Sequence, residues 1–142
     1  MSSISFKNNG VKTYLKNKTH LKELLHFVFE NEGVEFRRVC FIFCTDQGVL
    51  ELNRKFLKHD TLTDILTFTL SKKNEAVISE IYISVERIKE NAEEFSVSFS
   101  NELYRVMIHG ILHLCGFLDF TPTQKRKMRE KEDFYLKRVR FT

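Results

Sequence analysis

The chain of 142 residues has no tryptophan, one proline, five glycines and three cysteines. A single proline and the absence of low-complexity sequence exclude long Pro-rich disordered linkers. Three cysteines, Cys40, Cys44 and Cys115, are an odd number, which excludes a fully paired disulfide framework and fits a reducing compartment. No apolar run approaches the length of a membrane-spanning helix, and the N-terminal MSSISFKNNGVKTYLKNK lacks the apolar core of a signal peptide. A cytoplasmic protein is expected. What is present, 42% hydrophobic and 30% charged residues, is ordinary for a globular chain. The length is that of one domain, residues 1–142, with a buried core.

Positive charge concentrates at the C-terminal end. Residues 121–142 hold eight Lys/Arg against three acidic residues, so the first 120 residues sum to about −1. Such a segment can contact phosphates, but charge alone favours a solvated helix face with Glu/Lys pairs.

Hydrophobic spacing predicts an α+β domain of roughly four strands in a mixed sheet and five helices. Residues 4–6 read as a short first strand before a turn at Asn8, Asn9 and Gly10. Leu21, Leu24, Leu25, Val28 and Phe29 recur at three- and four-residue steps, which predicts an amphipathic helix over 20–32 stopped by Gly33, with His20 and His26 on its flanks. The unbroken apolar centre of residues 36–45 predicts a central strand buried on both faces. In that strand Cys40 and Cys44 stand about 13 Å apart, too far for a disulfide or a shared tetrahedral ion. Asp46 is expected to cap a helix over 47–57, and residues 59–64 have turn and capping chemistry. Residues 65–70 and 77–85 read as a hairpin, with Ile81, Ile83 and Val85 on one face. Three helices follow. The first runs from Ser84 or Val85 to about Phe95, the second over 101–115 from Ser98 or Ser100, and the last from the capping box of Thr121, Pro122 and Gln124 to about Arg138.

The chemistry lies in HGILHLCGFLDF, residues 109–120. A step of four residues turns about 40° around a helix, so His109 and His113 project from one face a single turn apart. Gly116 suits the left-handed position that ends a helix, and the chain can then bend back so that Asp119 supplies an oxygen ligand. A helical histidine pair arises by chance often enough to mean little alone. With the spaced glycine and aspartate, it has the pattern of a catalytic zinc site, three protein ligands and a fourth position for water. Cys115 lies two residues past His113 and points off another helix face. A zinc ion held this way lowers the pKa of its water toward about 7 and polarises carbonyl or phosphoryl oxygens, so hydrolysis is the expected reaction class. Zinc peptidases with HExxH place a glutamate after the first histidine as general base, and here that residue is Gly110. The peptidase reading therefore loses its proton acceptor, whereas phosphodiester hydrolysis depends on it less.

HGILHLCGFLD resembles the HGxLHLxGYDH signature of the YbeY family, metal-dependent single-strand endoribonucleases of ribosomal RNA maturation and ribosome quality control. Leu52, Asn53, Asp60, Thr63, Asp64, Leu66 and Phe68 in LNRKFLKHDTLTDILTF resemble the family's LNxxYRxxDxPTDVLSF, and SEIYISVE resembles its GDIxIS strand. Order and spacing agree from about residue 20 to the C-terminus. Asp119 stands where the family has its third histidine; carboxylate oxygen binds zinc at about 2.0–2.2 Å, much as imidazole nitrogen does. An anionic ligand makes the site less positive and favours a harder ion such as manganese. The family's arginine falls on Leu57, so a cation expected to contact phosphate is absent, with His59, Arg54 or Lys58 as candidate replacements. By themselves Asp60 and Asp64 are turn and N-cap residues. The resemblance places their segment at the cleft, where one of them would orient a ligating histidine through its second nitrogen.

Together these readings predict a zinc-dependent endoribonuclease. His109, His113 and Asp119 hold one Zn2+ ion, Asp64 and His59 serve catalysis, and the substrate is single-stranded RNA. Ribosomal RNA, and the ribosome or its proteins, are the partners that the resemblance implies. Two other classes compete: an RNA- or ribosome-binding module with a structural metal, and a divergent zinc hydrolase or peptidase. Metal-dependent RNA turnover, salt-dependent binding without turnover, and peptide cleavage despite Gly110 distinguish the three.

Overall fold

The structure, a computed structural model, describes residues 1–13, 15–57 and 63–139. Along the chain run β1 (Ser3–Asn8), α1 (Lys18–Glu32), β2 (Phe36–Cys44), α2 (Asp46–Leu52), β3 (Ile65–Thr69), β4 (Val77–Ser84), α3 (Val85–Glu94), α4 (Phe99–Leu114) and α5 (Pro122–Leu136). The strands form a mixed sheet in the order β1-β2-β4-β3. β1, β2 and β4 are parallel neighbours, and β3 runs antiparallel to β4 with Ile65 opposite Ile83, the expected hairpin.

Side chains alternate across a strand, so β2 serves two cores. Val39, Phe41 and Phe43 are buried with Ile81 and Ile83 of β4 and with Met107, Ile108 and Ile111 of α4. On the opposite face Cys44 joins Val49 of α2 and Leu66 of β3 in a smaller cluster. The apolar run is thus covered on both sides toward its C-terminal end, while Arg37 and Arg38 near its start are exposed.

Several boundaries differ from expectation for local reasons. Thr45, not Asp46, caps α2: its extended backbone lets the hydroxyl accept from Gly48 N–H at 3.0 Å. Asp46 instead accepts from the Ser84 hydroxyl at 2.7 Å and from Arg87 at 3.0 Å, tying the start of α2 to the start of α3. The regular helix ends at Leu52, and residues Asn53–Leu57 form a π-helical turn rather than continuing it. Val85 opens α3 instead of extending the strand face, because the Ser84 hydroxyl accepts from Arg87 N–H at 3.1 Å. Ser98 caps α4. His59 and Asp60 lie outside the described residues. Among the described residues no helix is long and apolar enough to cross a membrane.

Helix α4 lies across the sheet, and Gly110 marks its close approach. A Cβ there would stand 2.9 Å from Ile65 Cδ1 and 3.3 Å from Ile81 Cδ1. With Gly110 facing the strands, His109 lies about 100° around the helix and faces α5.

Candidate metal centre

His109 and His113 are half-buried on the last turns of α4, with their Nε2 atoms 2.9 Å apart. Asp119 Oδ2 is 3.3 Å from the first and 3.5 Å from the second. Both ends of the loop carrying Asp119 are fixed. Gly116, at φ 98°, closes α4, donating to His113 O at 3.0 Å while Phe117 N–H reaches Leu112 O at 3.0 Å. Downstream, Thr121 and Gln124 form the reciprocal capping box of α5, and Gln124 also accepts from Phe120 N–H at 3.0 Å.

The hydrogen bonds on the outer nitrogens decide what the inner ones present. His113 Nδ1 lies 2.8 Å from Phe117 O, and His109 Nδ1 lies 2.6 Å from Glu132 Oε2. Both partners accept, so each Nδ1 carries a hydrogen, which leaves each Nε2 as the ring nitrogen available to ligate an ion. Two imidazole nitrogens and a carboxylate oxygen therefore converge on one point. Adjacent ligands of a tetrahedral ion at about 2.0–2.2 Å stand roughly 3.3–3.6 Å apart; both Asp119 separations, 3.3 and 3.5 Å, match that spacing, and the two Nε2 atoms, at 2.9 Å, stand closer than it. The three ligand atoms all lie within 4.8 Å of one another. The donor set fits a divalent cation.

The electrostatics agree. Burial alone draws the His109 pKa down, but the hydrogen bond and charge of Glu132, with Asp119 and Asp64 behind it, turn the net shift upward. The field that favours a proton on this ring equally favours a cation beside it. Glu132 is 5% exposed and its other oxygen accepts from Arg105 at 3.0 Å. His109 and Asp119 open onto a cavity of about 270 Å³, which Asp64, Glu102, Arg105, Arg129 and Glu132 also line. Burial, and then mutual repulsion with the neighbouring carboxylates, raise Glu102; burial likewise leads the upward shift of Asp64. A larger depression of about 550 Å³ lies beside His26 and Arg37 near the start of β2 and contains none of the motif.

The structure brings His109, His113, Asp119 and Asp64 to one site. It does not give Asp64 the ring-orienting place: both Nδ1 atoms are taken by Glu132 and the Phe117 carbonyl, while the Asp64 carboxylate accepts from Asn91 at 3.5 Å and its carbonyl from Ser84 N–H at 2.9 Å. Arg54 is on the π-helical turn and is not among the residues lining the cavity; Lys58 and His59 lie outside the described residues. Sequence reasoning missed Glu132, Arg105 and Glu102. For the last two a signal exists, because residues 102, 105, 109 and 113 fall on one face of α4 and form a polar stripe on an otherwise buried helix.

Fold and site together define a class: a small α+β domain with a His-His-Asp candidate metal centre formed by the helix packed against its mixed sheet and the loop that follows it. The family whose sequence model is described as Endoribonuclease YbeY matches residues 3–140, and the chain belongs to that family. Endoribonuclease YbeY of Flavobacterium psychrophilum is 42% identical over 134 residues, 94% of each chain. That of Bacteroides thetaiotaomicron is 37% identical over 131 residues, 92% of this chain and 95% of the relative. The solution structure of a Thermotoga maritima protein, 33% identical, superposes with a TM-score of 0.66 over 96% of this chain and 88% of its own.

Proposed function

We propose that this chain is a zinc-dependent endoribonuclease that hydrolyses single-stranded RNA, with ribosomal RNA as its substrate, in ribosomal RNA maturation and ribosome quality control in the cytoplasm. The observation that carries the reading is the convergence of His109 Nε2, His113 Nε2 and Asp119 Oδ2, with both rings fixed from behind, at a cavity lined by Asp64 and Glu102.

These three residues hold the ion. When bound, it supplies Lewis acidity, lowering the pKa of water toward neutrality and polarising a phosphoryl oxygen. Glu132 and the Phe117 carbonyl keep the two rings aimed at one point. Asp64 lines the same cavity, burial first of all raises its pKa above the usual carboxylate value, and it serves as general acid or base. His59 is the second proposed catalytic residue, on the resemblance of its segment. Gly110 supports a phosphodiester over a peptide substrate: a side chain at the peptidase-base position would run into Ile65 and Ile81.

The test is to strip metal with a chelator, restore zinc or manganese, and follow cleavage of a single-stranded RNA and its duplex, with His113→Ala alongside. Cleavage of the single strand that disappears on chelation, returns with the ion and is absent from His113→Ala supports the reading. Cleavage indifferent to both treatments rejects it.

A further inference from the structure

We propose that Arg129 holds the phosphodiester of the RNA at the metal centre; the inference rests on the endoribonuclease reading above. The cavity beside His109 is lined by the carboxylates of Asp64, Glu102, Asp119 and Glu132 against two cations, Arg105 and Arg129. RNA brings one negative charge per phosphate, and an excess of carboxylates repels it. A divalent ion at the triad offsets part of that repulsion, and the remainder calls for a cation free to meet the backbone.

Arg105 does not meet that need. Its two terminal nitrogens donate to Glu132 Oε1 at 3.0 Å and to Asp133 Oδ1 at 2.6 Å, and its side chain is 14% exposed. It braces the carboxylate that orients His109. Arg129 differs in each respect. It is exposed, and among the described residues it makes no hydrogen bond or ion pair; it acts on Glu102 through its charge alone. Residues 129 and 132 are three apart on α5 and so share a face. Glu132 on that face touches His109, which puts Arg129 one turn away, on the rim of the cavity. Its guanidinium presents a planar fork that matches two phosphate oxygens. Lys125, exposed four residues earlier on the same face, continues the positive track toward the next phosphate.

The experiment separates this role from the metal and from folding. Binding of a fluorescent single-stranded oligonucleotide is measured across a salt series on chelator-treated protein, for the wild type, Arg129→Ala, Arg129→Lys and, as a remote control, Lys73→Ala. Metal content and cleavage are measured in parallel on the metal-loaded proteins. Arg129→Ala is expected to bind about tenfold more weakly. Its slope of log affinity against log salt should be shallower by about 0.7, the value of one phosphate contact on a single strand. Metal content should match the wild type, Arg129→Lys should recover part of the affinity, and Lys73→Ala should behave as wild type. An Arg129→Ala protein with unchanged affinity and salt slope overturns the proposal, as does an equal loss in Lys73→Ala. A wild type that binds but never cleaves rejects the endoribonuclease reading instead, with the salt slopes still deciding whether Arg129 contacts phosphate.

Discussion

Glu132 Oε2 lies 2.6 Å from His109 Nδ1, so the last helix sets the ring orientation of a candidate metal ligand on the helix before it. Arg105 occupies the other oxygen of this buried carboxylate, leaving neither without a partner. Glu132→Gln keeps the shape and removes the charge that raises the basicity of the ring. Metal affinity is expected to fall about 10- to 100-fold, read by competition with a chromophoric chelator. Glu130→Gln, on an exposed position of the same helix, is expected to leave it unchanged. Equal affinities in the two variants contradict the orienting role.

Gly110→Glu tests whether this His-X3-His helix has room for the glutamate base of a zinc peptidase. The substitution recreates HExxH, yet the structure places the new side chain against Ile65 and Ile81. Overpacking and a buried carboxylate should together cost about 3 kcal/mol or more, visible as a Tm lower by roughly 10 °C, with no peptide cleavage gained. A stable variant that digests casein contradicts this placement of α4.

Cys44 yields a prediction in pH. It is 3% exposed, and burial first, with the charge of Asp46 second, pushes its thiol up to about 11. In the unfolded chain the thiol ionises near about 8.5. Its contribution is therefore fully present below that value and is lost as pH rises toward 11, because across this window the unfolded state releases the proton more readily. Urea melts should show stability falling over that range, and Cys44→Ala should flatten the fall. Iodoacetamide at pH 8 should leave Cys44 unmodified until the protein unfolds; rapid alkylation of the native protein contradicts the burial.

Whatever depends on near neighbours in the chain was legible before the fold was seen. The helical spacing of His109 and His113, the left-handed Gly116 and the capping box at Thr121 and Gln124 are all set within a few residues, so the loop that delivers Asp119 could be read directly. The apolar run of β2 announced its two-sided burial for the same reason. Glu132 was not legible. It sits among alternating charges in REKED, and only the crossing of α4 and α5 distinguishes it from solvated neighbours. Asp46 misled for a related reason: aspartate and threonine both cap helices, and the choice fell to Thr45 once Ser84 and Arg87, from distant sequence, engaged the carboxylate.

The most direct test of the account is the metal content of protein purified without a histidine tag, comparing the wild type with Asp119→Ala and His113→Ala. The account predicts about one divalent ion per wild-type chain and almost none in either variant, with all three folded by circular dichroism. Equal occupancy in the wild type and Asp119→Ala would contradict the two-histidine, one-aspartate centre on which the proposed RNA chemistry rests.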